Sequence, residues 1–235
     1  ITSFFYKLIK IFYRRQKVLI TLHGDIDFIQ QNKSRFRNYL GKFFIWSFKW
    51  KDVMTKYIVL SKQIKDNLIE TQYLEAAELY AINHPYLFKA EVVHHTPSKP
   101  LRVGHIGLAS LEKNTQLIFK LAENLREEVL SGQIHFSIIG TATQMDAYQN
   151  QLVDYNPQSG MLSKAASDAK IAELDYIVFF YSDDNYRFCS SGAILDAINH
   201  EIPIVSLANQ GFQAIFNEAS VPVGYLCADL PAMTD

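Results

Sequence analysis

Cysteine is almost missing from this chain: Cys189 and Cys227 are the only two among 235 residues. They lie too far apart for the paired spacing of a zinc or dithiol site, so a disulfide scaffold is not indicated and a reducing compartment is expected. Cys189 reads as a small buried or turn residue rather than a nucleophile. Long hydrophobic runs are missing as well. None approaches the roughly 18 apolar residues needed to span a bilayer, and no signal-peptide pattern with a small-residue cleavage site is read. A cytoplasmic protein is expected. Nor is there an excess of either charge. Lys plus Arg total 23 against 24 for Asp plus Glu, a formal net charge of -1, which removes any global reason to expect nucleic acid as a partner. There is no internal repeat and no low-complexity tract.

What the chain does have is apolar content, 49%, enough to bury a substantial core in one large domain or two modest ones. Apolar runs at Val18–Leu22, Tyr57–Leu60, Leu101–Ile106, Ile134–Ile139, Tyr176–Phe180, Pro203–Leu207 and Pro222–Leu226 have the length and the β-branched or aromatic content of buried strands. Helical patterns lie between most of them, at Lys113–Leu130, Ala165–Ala172, Gly192–Asn199 and Gln213–Ala219. Strands alternating with helices predict an α/β fold with parallel sheets. The prolines and polar residues of Glu91–Pro100 interrupt both patterns and mark a linker. The expected organisation is therefore 1–95 as a first domain and 96–235 as a second. Asp154–Gly160 reads as a surface loop.

Two junctions carry the chemistry. Gly104-His105-Ile106-Gly107-Leu108-Ala109-Ser110-Leu111-Glu112-Lys113-Asn114 reads as a buried strand, a small-residue turn, and a lysine at a helix entrance. Ser190-Ser191-Gly192-Ala193-Ile194-Leu195-Asp196-Ala197 reads as a strand-to-helix junction whose free N–H groups suit an anion. Two such junctions in one domain suggest a ligand bearing phosphate.

In order along the chain, Leu22-His23-Gly24-Asp25, Tyr57-Ile58-Val59-Leu60-Ser61, Asn83-His84-Pro85-Tyr86, these two junctions, and Pro203-Ile204-Val205 resemble the retaining GT-B glycosyltransferases of the glycosyl transferases group 1 family. The resemblance runs from about residue 17 onward. It implies two Rossmann-like domains of GT-B type, with the N-terminal, acceptor-side domain incomplete in this chain and the C-terminal one binding a nucleotide-sugar donor. The activity implied is transfer of a sugar to a hydroxyl acceptor, retaining and without a bound metal or cofactor, in polysaccharide or glycan synthesis. The donor would be UDP- or GDP-linked, and the acceptor a saccharide or a lipid-linked one.

Residue by residue, the resemblance makes Lys113 the diphosphate lysine, Ser190, Ser191 and Gly192 the phosphate-facing helix start, and Asp196 the acid that holds the ribose hydroxyls. His23 matches the N-domain residue lining the cleft opposite the donor, and it is taken as catalytic. The chain departs from the pattern twice: Leu108 stands where the family has an arginine, and Phe188 where many relatives carry a glutamate that contacts the donor sugar. Arg187, in the polar loop just before the second junction, is expected to supply the missing cation. Each assignment has a plainer alternative. Lys113 and Asp196 as solvent-facing helix residues, Ser190 and Ser191 as simple helix caps, Arg187 as a solvated loop residue and His23 as a turn histidine all fit the sequence. The departures also fit a catalytically weakened subunit that binds nucleotide or a partner glycosyltransferase. A nucleotide-sugar epimerase of the same fold is the third alternative, without evident catalytic carboxylates.

His84 before Pro85 reads as structural, and His94 with His95 lacks partners at zinc spacing. Near the start, Phe4, Phe5, Leu8, Ile11 and Phe12 share an apolar face ringed by Lys7, Lys10, Arg14, Arg15 and Lys17, and Phe43, Phe44, Trp46, Phe48 and Trp50 with Lys42, Lys49 and Lys51 repeat the theme. Such segments suit peripheral attachment to an anionic membrane face; equally, the aromatics could fill the first domain's core.

Overall fold

The computed structural model describes residues 16–23, 26–27, 39, 42, 45–88, 99–155, 162–183 and 186–234. The basic segment from Phe4 to Arg15, Phe43, Phe44, His94, His95 and the expected boundary between residues 95 and 96 lie outside the described residues. The chain divides into two compact units, one running to Pro85 and taking in Tyr186–Ser190, the other holding Tyr86–Asn185 and Ser191–Asp235.

In the first unit, β1 (Val18–Thr21), β2 (Thr55–Val59), α1 (Lys62–Glu70) and β3 (Leu79–Ala81) follow in order. The strands form a parallel sheet in the order β1-β2-β3. Along β2 burial alternates, placing Thr55, Tyr57 and Val59 on the core face. Ser61 starts α1 by accepting the Ile64 N–H on its hydroxyl at 3.1 Å. Ile64 and Leu68 of that helix join Leu22, Tyr57 and Val59 in the core. Phe48 is buried there too, edge-on to Tyr57 at 5.5 Å, so this residue of the second aromatic segment serves packing. β3 was not expected; at three residues it is too short to show a period.

The excursion of Tyr186–Ser190 into this unit is anchored at several points. Phe188 is buried in the core, its N–H donates to Asp27 Oδ2 at 2.8 Å, and the Arg187 carbonyl accepts from the Asn67 amide at 2.9 Å.

The second unit contains β4 (Leu101–Ile106), α2 (Leu117–Asn124), α3 (Arg126–Leu130), β5 (Ile134–Ile139), β6 (Val153–Asp154), α4 (Lys164–Ile171), β7 (Tyr176–Phe179), α5 (Gly192–Asn199), β8 (Ile204–Leu207), α6 (Gln210–Glu218) and β9 (Gly224–Cys227). Its six strands pair in parallel in the order β6-β5-β4-β7-β8-β9. This is the doubly wound Rossmann order, reversing between β4 and β7. Val103, Phe136 and Val178 of the sheet pack with Ile118, Phe119 and Leu121 of α2 in one core.

Three elements differ from expectation. The helix predicted over Lys113–Leu130 is broken into a 3-10 turn at Leu111–Lys113, then α2 and α3. Asn114 stops the turn in the left-handed region at φ 55°, held there by its amide donating to the Phe180 carbonyl at 3.1 Å. That bond links the segments that follow the neighbouring strands β4 and β7 and leaves no trace in a periodicity. β6 takes in Asp154, the first residue of the stretch read as a surface loop. α6 starts before Gln213 because Asn209 caps it, accepting the Phe212 N–H at 3.0 Å.

Candidate functional site

In a doubly wound sheet, the loops leaving the carboxyl ends of the two strands at the reversal point diverge and leave a crevice. Here those loops follow β4 and β7. Gly107 turns the chain out of β4 at φ +87°, a conformation that side chains disfavour, and a Cβ on it would lie 3.2 Å from the Ala193 Cβ in the first turn of α5. The two junctions singled out in the sequence therefore meet. Gly140, leaving β5 at φ +131°, packs so closely under this turn that a Cβ there would fall 2.2 Å from the Gly107 carbonyl oxygen.

A buried chain of polar groups fixes the loop after β4. His105 Nδ1 lies 3.0 Å from the Val178 carbonyl, which can only accept, so this nitrogen carries the proton. Its Nε2 is then the acceptor for the Thr115 hydroxyl at 3.3 Å, and the Thr115 oxygen in turn receives the Ser110 N–H at 3.3 Å. Complete burial pushes the His105 imidazole down to about 4, and the positive charge of Lys113 acts in the same direction. The ring is neutral at ordinary pH.

Tyr181 joins the two junctions. Its ring carries the Lys113 ammonium 5.3 Å from its centroid, and its hydroxyl lies 3.3 Å from the Ser191 hydroxyl. The Tyr181 carbonyl is held by the Asn209 amide at 3.0 Å. Ser191 is the N-cap residue of α5, yet its side chain makes no capping bond, and no acidic residue lies in the first turn. The start of α5 thus presents backbone N–H groups and the positive end of the helix dipole with no carboxylate in the turn to neutralise them. A cation and a helix start without a side-chain cap are thus brought to one buried tyrosine, and groups of this kind suit an anion.

Further along α5, Asp196 takes two strong donors on one oxygen. Its Oδ1 accepts from the Tyr86 hydroxyl at 2.6 Å and the Lys164 ammonium at 2.8 Å. Burial and the Asp196 carboxylate push the Tyr86 phenol up to about 12, so it stays a donor. Among the described residues no group of three or more His, Cys, Asp or Glu side chains is placed to hold a metal ion.

No family model and no curated protein matches the chain. Solved structures do. A mutant of Staphylococcus aureus TarM, in complex with fondaparinux, α-GlcNAc-glycerol and UDP, superposes with a TM-score of 0.64 at 16% identity, over 94% of this chain and 42% of that one. Anabaena HepE, in complex with UDP and glucose, superposes with a TM-score of 0.65 at 14% identity, over 98% of this chain and 62% of that one. The pneumococcal O-GlcNAc transferase GtfA, in complex with UDP and GlcNAc, gives 0.50 at 12% identity, over 85% and 39%. The chain shares the Rossmann-like fold of these solved structures. The chain spans between 42% and 62% of the length of TarM and HepE.

The residues singled out in the sequence fall into two groups. Lys113, Ser191, Gly192 and Asp196 all belong to the second unit. Lys113 closes a 3-10 turn rather than opening an α-helix. His23, Arg187 and Ser190 belong to the first. His23 is exposed, its ring 5.9 Å from that of His84. The Arg187 guanidinium pairs with Glu70 at 2.6 Å while its Nε is buried with no hydrogen-bond partner among the described residues. The Ser190 carbonyl receives the Cys189 thiol at 3.4 Å. Of the two departures, Leu108 is 45% exposed in the loop after Gly107, whereas Phe188 is 3% exposed in the first unit's core. Tyr181, Thr115, Tyr86 and Lys164 were not among the expected site residues; the first two and Lys164 lie outside the quoted motifs, and Tyr86 ends Asn83-His84-Pro85-Tyr86 but had no role assigned to it. His105 was the one with a visible signal, a polar residue in the middle of an apolar strand.

Proposed function

We propose that this chain carries the donor site of a GT-B glycosyltransferase, moving a sugar from a UDP- or GDP-linked nucleotide sugar to a hydroxyl acceptor with retention and without a metal. The observation that carries this reading is the meeting of Lys113, Tyr181 and the uncapped start of α5 at the strand reversal. When the bond from the sugar's anomeric carbon to the diphosphate breaks, negative charge grows on the leaving oxygen. The Lys113 ammonium and the α5 N–H groups are the charges that answer it, taking the part a metal ion plays elsewhere. Asp196 is assigned to the ribose hydroxyls and His23 to the acceptor side. Arg187 is assigned as a second cation for the diphosphate. UDP in the complexes of TarM, HepE and GtfA supports a nucleotide ligand, and a saccharide or lipid-linked acceptor follows from the same reading.

A second reading has its own observation. Phe188, at the position of the sugar-contacting glutamate, is committed to a hydrophobic core, which favours a subunit that binds nucleotide with weakened or no transfer. Melting curves with UDP-, GDP- and ADP-sugars separate these readings from a chain that binds no nucleotide. A ligand at 100 times its dissociation constant adds about 2.7 kcal/mol of stability. Stabilisation by one nucleotide class supports the donor site, hydrolysis or transfer of its sugar decides between the two readings, and no shift with any of them contradicts both.

A further inference from the structure

Asp196 sits in a ladder between two helices. Lys164 and Asp168 are one turn apart on α4; Asp196 on α5 and His200, the cap residue at that helix's end, are likewise one turn apart. Lys164 Nζ bridges Asp168 Oδ1 and Asp196 Oδ1, each at 2.8 Å, and the His200 Nε2 lies 3.2 Å from Asp168 Oδ1. Tyr86 closes the ladder from outside both helices, its hydroxyl 2.6 Å from Asp196 Oδ1. Both donors thus converge on one oxygen of a carboxylate whose side chain is 28% exposed. No hydrogen bond reaches Oδ2 among the described residues.

A carboxylate that must accept from a hydroxyl pair needs an open oxygen and a fixed plane, since a freely rotating one loses entropy on binding. We propose that Tyr86 and Lys164 are positioning residues for Asp196, holding Oδ1 so that Oδ2 is left to accept from the ribose hydroxyls of a nucleotide. This rests on the donor-site reading above. Neither residue had a role from the sequence: Lys164 lies outside the quoted motifs, and Tyr86, the last residue of Asn83-His84-Pro85-Tyr86, is 110 positions from the carboxylate it orients. The two differ in weight. The Lys164 side chain is 61% exposed and its bridge is screened by water and salt, whereas the Tyr86 bond is short and only partly accessible. Tyr86 therefore carries more of the orientation.

The test is calorimetric titration of the chain, and of Tyr86→Phe, Lys164→Met and Lys164→Arg, with UDP and GDP and with their 2′,3′-dideoxy counterparts. In the parent, the ribonucleotide of whichever base binds should exceed its dideoxy form by about tenfold or more, the worth of a hydrogen bond to a charged group. Tyr86→Phe should erase most of that preference while leaving dideoxy binding unchanged, Lys164→Met should reduce it by a few-fold, and Lys164→Arg should restore it. A merely structural role would weaken both ligand forms alike, so equal losses overturn the proposal even where the melting temperature has fallen. An undiminished preference in Tyr86→Phe overturns it too, with the donor site intact. Failure of the parent to bind either UDP or GDP overturns the donor-site reading itself, and this proposal with it.

Discussion

His105 offers a pH test of how the candidate site is built. The imidazole is fully buried beneath the loop that carries Lys113, between the Val178 carbonyl and the Thr115 hydroxyl. Burial, with Lys113 adding to it, lowers its titration from 6.5 to about 4. Above pH 6.5 the ring is neutral in the folded and unfolded chain alike, and it adds no pH dependence. As pH falls from 6.5 toward 4, the unfolded chain takes up a proton that the folded chain refuses, so stability is lost at up to about 1.4 kcal/mol per pH unit. Over the whole window the loss is about 3 kcal/mol, and below pH 4 it levels off. His105→Gln keeps an amide donor for Val178 but cannot titrate. It will cost stability at pH 7 through imperfect packing, yet it should lose about 2–3 kcal/mol less than the parent between pH 7 and 4.5. Urea unfolding of both proteins at the two pH values, compared as differences so that other titrating groups cancel, measures this. Equal losses in parent and variant would refute a neutral, buried His105, and with it the account of how the Lys113 loop is held.

Other outcomes follow from single positions. Gly140→Ala places a methyl group 2.2 Å from the Gly107 carbonyl oxygen at φ +131°; it should destabilise by about 2 kcal/mol or more, and a loss under about 0.5 kcal/mol in urea unfolding would contradict the packing of the two loops. Asp27 shows the opposite sign to His105. Its burial outweighs the bonds from the Phe188 and Arg187 N–H groups and pushes its carboxyl up to about 6, so the folded chain keeps a proton that the unfolded one releases near 3.8. Stability is therefore lost as pH rises through that window, by up to about 3 kcal/mol, and Asp27→Asn should flatten the profile. Arg187→Ala breaks a pair in which Glu70 is mostly exposed, so it should cost under about 1 kcal/mol from that pair. If Arg187 is a second cation for the diphosphate, nucleoside diphosphate binding should fall about tenfold in the same variant; unchanged binding would remove that role.

Much of the fold was legible because buried parallel strands are plain apolar runs. The strand from Leu101 to Ile106 and the helix from Gly192 to Asn199 were read with the bounds they have. The short edge strands at Leu79–Ala81 and Val153–Asp154 were not, because two or three residues cannot display alternation. The helix break at Asn114 was hidden for another reason: its cause is a hydrogen bond to a residue 66 positions away. The same division holds at the site. Gly107, Lys113, Ser191 and Gly192 were visible as a turn and a helix start, local features with local signatures. Tyr181, which joins them, follows directly on the apolar run read as Tyr176–Phe180, and Lys164 stands just before the helix read as Ala165–Ala172. Arg187 and Phe188 were read as neighbours of the second junction along the chain, but the Arg187 carbonyl takes the Asn67 amide, its guanidinium pairs with Glu70 and the Phe188 ring lies beside Tyr73, a destination that sequence proximity could not give.

The most direct test of the donor site compares the chain with Lys113→Ala by calorimetric titration, using the nucleoside diphosphate that stabilises the parent and the matching nucleoside. In the proposed donor site Lys113 serves the diphosphate alone, so its loss should weaken nucleoside diphosphate binding by about ten- to a hundredfold, the equivalent of roughly 1.5–3 kcal/mol for one charge-assisted bond, and leave nucleoside binding as it was. If both ligands bind Lys113→Ala as tightly as the parent, the β4 and α5 junctions are not where the nucleotide sits, and the glycosyl-donor reading of this site is wrong.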